Sequence, residues 1–211
     1  LKAIKVAVIS QKGGTGKTTL ALNLADGLSR RGRVLIVDAD PQNSLSQWVA
    51  MSDSRYQLPE VQKVDGPPAI SIHQSSDTYD FVVIDCPPAI HSKEVVDLLG
   101  VVDIALIPVL PSPIDLWASV EMIKLTKKIQ SVNKKLSAFM VLNQVEPKSA
   151  LSRAMTDALA ALDTPVLAAK VSRRAAFKNA AVEGVSVYRL GKRGDAAVND
   201  IEGIVEELLC R

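Results

Sequence analysis

Cysteine is scarce in this chain: Cys86 and Cys210 are the only two in 211 residues, far apart and without the spacing of metal ligands. That usage fits a reducing cytosol rather than a disulfide-stapled secreted domain. Charge of one sign is also missing. The net charge is only +2, so the chain as a whole carries no polyanion-binding signal. No apolar run reaches membrane-spanning length, because Asp103 interrupts the best candidate, Val101 to Leu110. The first apolar run begins at residue 4, so no secretory leader is expected. Internal repeats, low-complexity tracts and linkers are absent too. With 47% hydrophobic and 23% charged residues, residues 1–211 read as a single domain with a sizeable core.

What is present is concentrated in one run, Gln11-Lys12-Gly13-Gly14-Thr15-Gly16-Lys17-Thr18-Thr19. It follows an apolar β-type segment, Ile4 to Ile9, and opens a helical pattern, Leu20 to Ala25. Strand, glycine loop, Lys-Thr and helix is the arrangement that holds a nucleoside triphosphate. Glycines let the backbone approach the phosphates, and amide N–H groups then form an anion nest at a helix N-terminus. Lys17 reaches the β- and γ-phosphates, and the Thr18 hydroxyl ligates Mg²⁺. The usual pattern places glycine where this chain has Gln11, and the chain adds a second lysine, Lys12. Two readings of Lys12 stay open: a solvated surface charge, or a reach to a phosphate in a neighbouring subunit.

Strand-like runs alternate with helical patterns along the chain, which predicts an α/β fold: a mostly parallel, twisted sheet with helices on both faces. Strands are expected at Ile4–Ser10, Val34–Val37, Phe81–Asp85, Ile104–Val109, Ala138–Asn143 and Val166–Ala169. Helices are expected at Lys17–Arg31, Lys93–Leu99, Leu116–Ser131, Ala150–Ala161, Arg174–Glu183 and Ala196–Leu209. Ser52–Ser76, with Pro59, Pro67 and Pro68, reads as loop with short elements.

Two strands end in carboxylates, the position where open α/β sheets bind ligands. Asp38 and Asp40 follow Val34–Val37, and Asp85 follows Phe81–Ile84. An Asp ending an apolar strand is the Mg²⁺-side partner of a P-loop, and Asp85 fits it, through a water because Mg²⁺ keeps much of its hydration shell. Asp38 and Asp40 lie two apart and so point the same way in an extended segment: one suits support of the metal shell, the other orientation of an attacking water. Pro41 and Pro87-Pro88 stiffen the loops that follow. In-line attack of water on the γ-phosphorus is the reaction this set implies.

Lys12 to Thr19 resembles the deviant Walker A motif of the ParA/MinD family of P-loop ATPases. Asp38-Ala39-Asp40-Pro41-Gln42 and Ile84-Asp85-Cys86-Pro87-Pro88 are similar to its second and third motifs, and Ile107 to Asp115 to a later segment. The resemblance implies an ATP-dependent homodimer that sandwiches two nucleotides. It implies that Lys12 crosses to the partner's nucleotide, that Asp40 is needed for hydrolysis, that Asp38 is the switch Asp near Mg²⁺, and that Asp85 is the Walker B Asp. Gly13, Gly14, Thr15, Gly16, Lys17, Thr18 and Thr19 would hold ATP, with Asn143 matching an adenine-contacting Asn.

Flanking features point to the small ParA type. The C-terminal pattern Asp200 to Arg211 has helical apolar spacing but an acidic polar face, which an anionic membrane repels. It is expected to pack on the core. A helix-turn-helix domain before the first strand is not expected, since that strand starts near residue 4. This type works on the nucleoid and needs nonspecific DNA binding. Lys170, Arg173, Arg174, Lys178, Arg189, Lys192 and Arg193 face only Glu183 and Asp195 between residues 170 and 195, a local net charge of +5. With no aromatic platform interleaved, phosphate contacts and salt-sensitive binding are expected. Lys124, Lys127 and Lys128 share a helix face and read as solvated. His73 and His91 match no catalytic constellation, Trp48 and Trp117 read as packing residues, and Cys86 as inert filler.

The resulting expectation is a cytoplasmic, nucleoid-associated, Mg²⁺-dependent ATPase that positions a plasmid, a chromosome region or a carboxysome-like compartment. A ParB-like or analogous cargo protein would stimulate it, and no membrane would be involved. The alternatives are a metal-cluster carrier or reductase-like ATPase, for which Cys86 and Cys210 make a poor cluster pair, and a MinD-like division-site ATPase.

Overall fold

The computed structural model describes residues 2–64, 67, 69, 72, 77–88, 92–146 and 149–210. His73 and His91 lie outside the described residues, as does much of the second half of the Ser52–Ser76 stretch. Six strands form one sheet: β1 (Ile4–Val8), β2 (Val34–Asp38), β3 (Glu60–Lys63), β4 (Phe81–Asp85), β5 (Ile104–Val109) and β6 (Ser137–Leu142). Their spatial order is β3-β2-β4-β1-β5-β6, and every neighbouring pair is parallel. The connection out of β1 runs to one side, and that out of β4 crosses to β5 on the other. The C-terminal ends of β1 and β4 therefore sit where the winding reverses, the crevice in which open α/β sheets bind ligands.

Seven described helices join them: α1 (Lys17–Leu28), α2 (Ser44–Ala50), α3 (Lys93–Leu99), α4 (Pro113–Gln130), α5 (Ala150–Ala160), α6 (Ala175–Val182) and α7 (Asp195–Leu209). Alternation along each strand divides the core in two. Val6, Val8, Ile36 and Val83 face α1, α6 and α7, and Ala7, Ile9, Leu35, Val37, Val82 and Ile84 face α3, α4 and α5. With both faces covered, the central strands are apolar at nearly every position, Lys5 and the strand-end Asp38 and Asp85 apart, which is how a parallel sheet reads in sequence. The acidic C-terminal helix α7 does pack on the core, through Ala197, Ile201, Ile204, Val205 and Leu208.

Three expectations need correction. Val166–Ala169 is not a strand. It meets β6 at an isolated bridge, Met140 to Val166, and the Ala168 and Ala169 N–H groups donate instead to the Glu207 carboxylate of α7, at 3.0 and 2.5 Å. The helix α2 was not expected, whereas the edge strand β3 is a short element inside Ser52–Ser76, as expected of that stretch. Trp117 is not a packing residue: it is 68% exposed beside Ile114 (61%) on the first turns of α4. Trp48 does pack against the core and donates its Nε1 to the Val185 carbonyl, 3.2 Å away.

Candidate nucleotide site

The loop from β1 into α1 takes up left-handed backbone at Gly14 (φ 77°) and Gly16 (φ 89°), conformations that favour glycine. Lys17 is the first residue of α1 and is buried. Its Nζ folds back to donate to the Lys12 carbonyl at 3.2 Å. Burial lowers its pKa, against the opposing pull of Asp85 and then Asp40. Thr18 and Thr19 follow, both partly buried.

Asp38 and Asp85 end adjacent strands and lie opposite each other in register. Asp85 is fully buried, and neither of its oxygens has a hydrogen-bond partner among the described residues. Burial pushes its pKa up to about 7, and Asp38 and Asp40 push the same way. The nearby Thr18 hydroxyl and Lys17 pull it down, but the hydroxyl does not complete a hydrogen bond. Asp38 Oδ2 accepts from the Ser46 N–H (2.9 Å) and hydroxyl (2.7 Å), while its Oδ1 has no partner among the described residues. Helix α2 thus fixes Asp38, a contact that Ser46 in the run Ser44-Leu45-Ser46 only faintly signals. Asp40 is half-exposed, its Oδ1 accepting from the Gln42 N–H at 2.9 Å in a tight turn.

Three buried carboxylate oxygens without partners would each cost free energy in a permanently empty protein. Their position beside Thr18 and Lys17 fits a Mg²⁺ ion and a polyphosphate. Among the described residues no three or more His, Cys, Asp or Glu side chains group as a metal cage. An ion that keeps waters and phosphate oxygens around it suits such a site. Cys86, next to Asp85, is fully buried and its thiol is pushed up by burial, so it stays protonated.

Lys12 is turned away from these carboxylates. Its Nζ pairs with Asp115 Oδ1 at 3.2 Å, in the first turn of α4. Asp115 also accepts from the Ser112 hydroxyl, while its own N–H donates back to Ser112 Oγ at 3.2 Å. Asn143 stands just past β6, and its Nδ2 donates to the Thr15 carbonyl at 2.7 Å. Gly13 is exposed at the loop's tip. A pocket of about 220 Å³ adjoins the loop, lined among others by Gly16, Thr19, Asn143, Arg173, Phe177 and Lys178.

The basic segment splits in two. Arg173, Arg174 and Lys178 line that pocket, whereas Arg189 is fixed to α1, its guanidinium on both oxygens of Asp26 at 2.5 and 3.0 Å. Arg174 grips Asp200 in the same two-pronged way, at 2.8 and 3.0 Å. Arg173 pairs with Glu146 and Arg193 with Glu183, and Lys170 donates to Thr156 Oγ1. Lys178 and Lys192 are exposed. On α4, Lys124 pairs with Glu121 and Lys127 with Asp163.

Residues 6–187 match the CbiA family, the CobQ/CobB/MinD/ParA nucleotide binding domain. The chain is 44% identical over 210 residues to maintenance of carboxysome distribution protein A of Halothiobacillus neapolitanus, covering 99% of this chain and 97% of that one. To the chromosome-partitioning ATPase Soj of Thermus thermophilus it is 32% identical over 138 residues, 51% of this chain and 55% of the other. Among solved structures, a Cyanothece McdA variant in complex with ATP superposes with a TM-score of 0.80 over 98% of this chain and 96% of that one, at 19% identity. The Pyrococcus horikoshii septum site-determining protein MinD with Mg-ADP gives 0.74 over 98% and 97%, at 21% identity. Those two likenesses concern the fold. The motif loop, the paired strand-end carboxylates and the match over residues 6–187 agree: this chain belongs to the CobQ/CobB/MinD/ParA family of nucleotide-binding domains.

Proposed function

We propose that this chain is a Mg²⁺-dependent ATPase, one catalytic domain over residues 1–211, which closes as an ATP-sandwich homodimer, binds nucleoid DNA nonspecifically and positions a cargo in the cytoplasm. The observation that carries the reading is the trio of carboxylate oxygens on Asp38 and Asp85, without partners among the described residues, beside Lys17 and Thr18. Gly13 to Thr19 would cradle the phosphates, with Lys17 on the β- and γ-phosphates. Thr18 would hold Mg²⁺ directly, and Asp85 and Asp38 through water. When bound, the ion supplies charge neutralisation on the phosphoryl oxygens. Asp40 orients the attacking water, and Lys12, once released from Asp115, completes the partner's site. The pocket beside Gly16 takes the base and ribose.

Likeness to a carboxysome distribution protein across nearly the whole chain favours a carboxysome-like compartment as cargo, with a cargo-bound ParB-like or analogous protein as stimulator. Lys178 and Lys192 are the strongest DNA-contact candidates, since Arg174 and Arg189 are committed to Asp200 and Asp26. DNA retention measured with ATP, with ADP and without nucleotide tests the switch. Retention with ATP alone is expected; equal retention in all three states ends the proposal. Asp40→Ala should keep ATP binding and lose about 100-fold or more in turnover, and an unchanged rate would remove Asp40 from the chemistry.

A further inference from the structure

The end of β6 holds the glycine loop by its carbonyl oxygens. Asn143 Nδ2 donates to the Thr15 carbonyl at 2.7 Å, and Gln144 Nε2 donates to the Gly14 carbonyl at 3.3 Å. They bridge parts of the chain 128 and 130 residues apart. No described peptide bond is cis. In a trans peptide the carbonyl of one residue and the N–H of the next point in opposite directions. Pinning the Thr15 and Gly14 carbonyls toward β6 therefore turns the N–H groups of Gly16 and Thr15 the other way, to the inner side of the loop where Lys17 folds back. A row of inward N–H groups is what an anion nest consists of.

The two side chains are built for this position. Asn143 is 4% exposed, and its Oδ1 accepts from the Gln144 N–H at 2.9 Å. Both ends of its amide are thus engaged. Gln144 holds φ at 56°, a left-handed conformation that a residue with a side chain adopts only when its surroundings require it. Gly16 shows how close the approach is: a Cβ there would meet Asn143 Nδ2 at 2.4 Å. Glycine at 16 is required by its own φ and by Asn143 together.

We propose that Asn143 and Gln144 are positioning residues for the phosphate cradle, acting on the triphosphate through the loop backbone rather than reading the base. The proposal rests on the nucleotide reading above and assigns Asn143 a role other than adenine contact. A bidentate hold on two successive carbonyls fixes the peptide planes before ligand arrives, so binding does not have to order them.

The test separates base from phosphate. A fluorescent ATP analogue is displaced from the full chain, with Mg²⁺ present, by ATP, by GTP and by inorganic tripolyphosphate. Gln144→Met keeps the size and removes the donor; Asn143→Ala removes the buried one. Gln144→Met is expected to weaken ATP and tripolyphosphate alike, by about three- to tenfold, and Asn143→Ala to weaken both further. The ATP-to-GTP preference should stay as in wild type. The ligand-free melting temperature of Gln144→Met should stay within about 2 °C of wild type, which separates a lost cradle from a lost fold and lets this variant decide if Asn143→Ala does not fold. Weaker ATP binding with unchanged tripolyphosphate binding would make these residues base readers and overturn the proposal, as would unchanged binding of both. A wild-type chain that fails to bind the ATP analogue would instead overturn the nucleotide reading itself.

Discussion

Two regions of the molecule handle charge in opposite ways. At the C-terminal ends of β2 and β4, carboxylate oxygens are buried without partners among the described residues, and a buried ammonium group on Lys17 lies close enough to act on Asp85 and Asp40. Across the 170–193 segment the cations are many, but most already have an anion: Arg174 has Asp200, Arg189 has Asp26, Arg173 has Glu146 and Arg193 has Glu183. The first region costs stability and so implies a ligand that repays it. In the second, a sum over the sequence overstates the charge on offer, because each internal pair cancels. Local net charge marks a surface for polyanions only after the pairs have been subtracted.

The comparison is broken most forcefully at Arg189. If its pair with the 1%-exposed Asp26 is structural, Arg189→Ala leaves a buried carboxylate uncompensated. Chemical denaturation should then show a loss of about 3 kcal/mol. A loss under about 0.5 kcal/mol would mean an ordinary surface pair and return Arg189 to the DNA-contact candidates.

Asp85 sharpens the other side. Its folded pKa, about 7, stands above the ordinary 3.8, so between those values the folded chain holds a proton that the unfolded chain has released. The contribution of Asp85 to the stability of the nucleotide-free protein is therefore expected to fall as pH rises from about 4 to 7, by up to about 4 kcal/mol. Asp85→Asn removes the titration. Urea denaturation should find the variant more stable than wild type at pH 8, with the gap closing toward pH 4. A gap of equal size at both ends would show that Asp85 does not carry the effect.

The smallest expected change concerns Lys192, exposed in the 3₁₀ turn Gly191–Arg193. Lys192→Ala should leave stability within about 0.5 kcal/mol and reduce the slope of log DNA affinity against log salt by about 0.9. An unchanged slope would move the DNA surface away from this turn.

Sequence reasoning reached the loop and the strand-end carboxylates because each is contiguous and typed by its chemistry: Gly16-Lys17-Thr18 after an apolar strand, Asp85 at the end of another. The sheet was legible for the same reason, since strands buried on both faces are apolar at nearly every position. β3 was not, because Glu60-Val61-Gln62-Lys63 is a half-exposed edge strand with little apolar signal. Helix α2 has seven residues and starts after Asn43 at φ 51°, with no side-chain cap to announce it. Contacts between distant parts of the chain stayed out of reach: Asn143 to Thr15, Lys12 to Asp115, Arg189 to Asp26. One clue was available for the last. Asn23 and Asp26 are polar residues on the buried side of α1, and they hold the Val187 N–H, the Ser186 hydroxyl and Arg189.

Asp115 draws the Lys12 ammonium away from the loop that bears it. Lys17 is left as the resident cation among Asp38, Asp40 and Asp85. A polyphosphate adds further negative charge at an end of the sheet where low polarity magnifies repulsion. Under the proposed nucleotide reading, one ammonium among three carboxyl groups is outnumbered once phosphates arrive, and an ion or a further lysine would restore the balance. On that reading, electroneutrality at the site is a property of the loaded assembly and not of the polypeptide by itself.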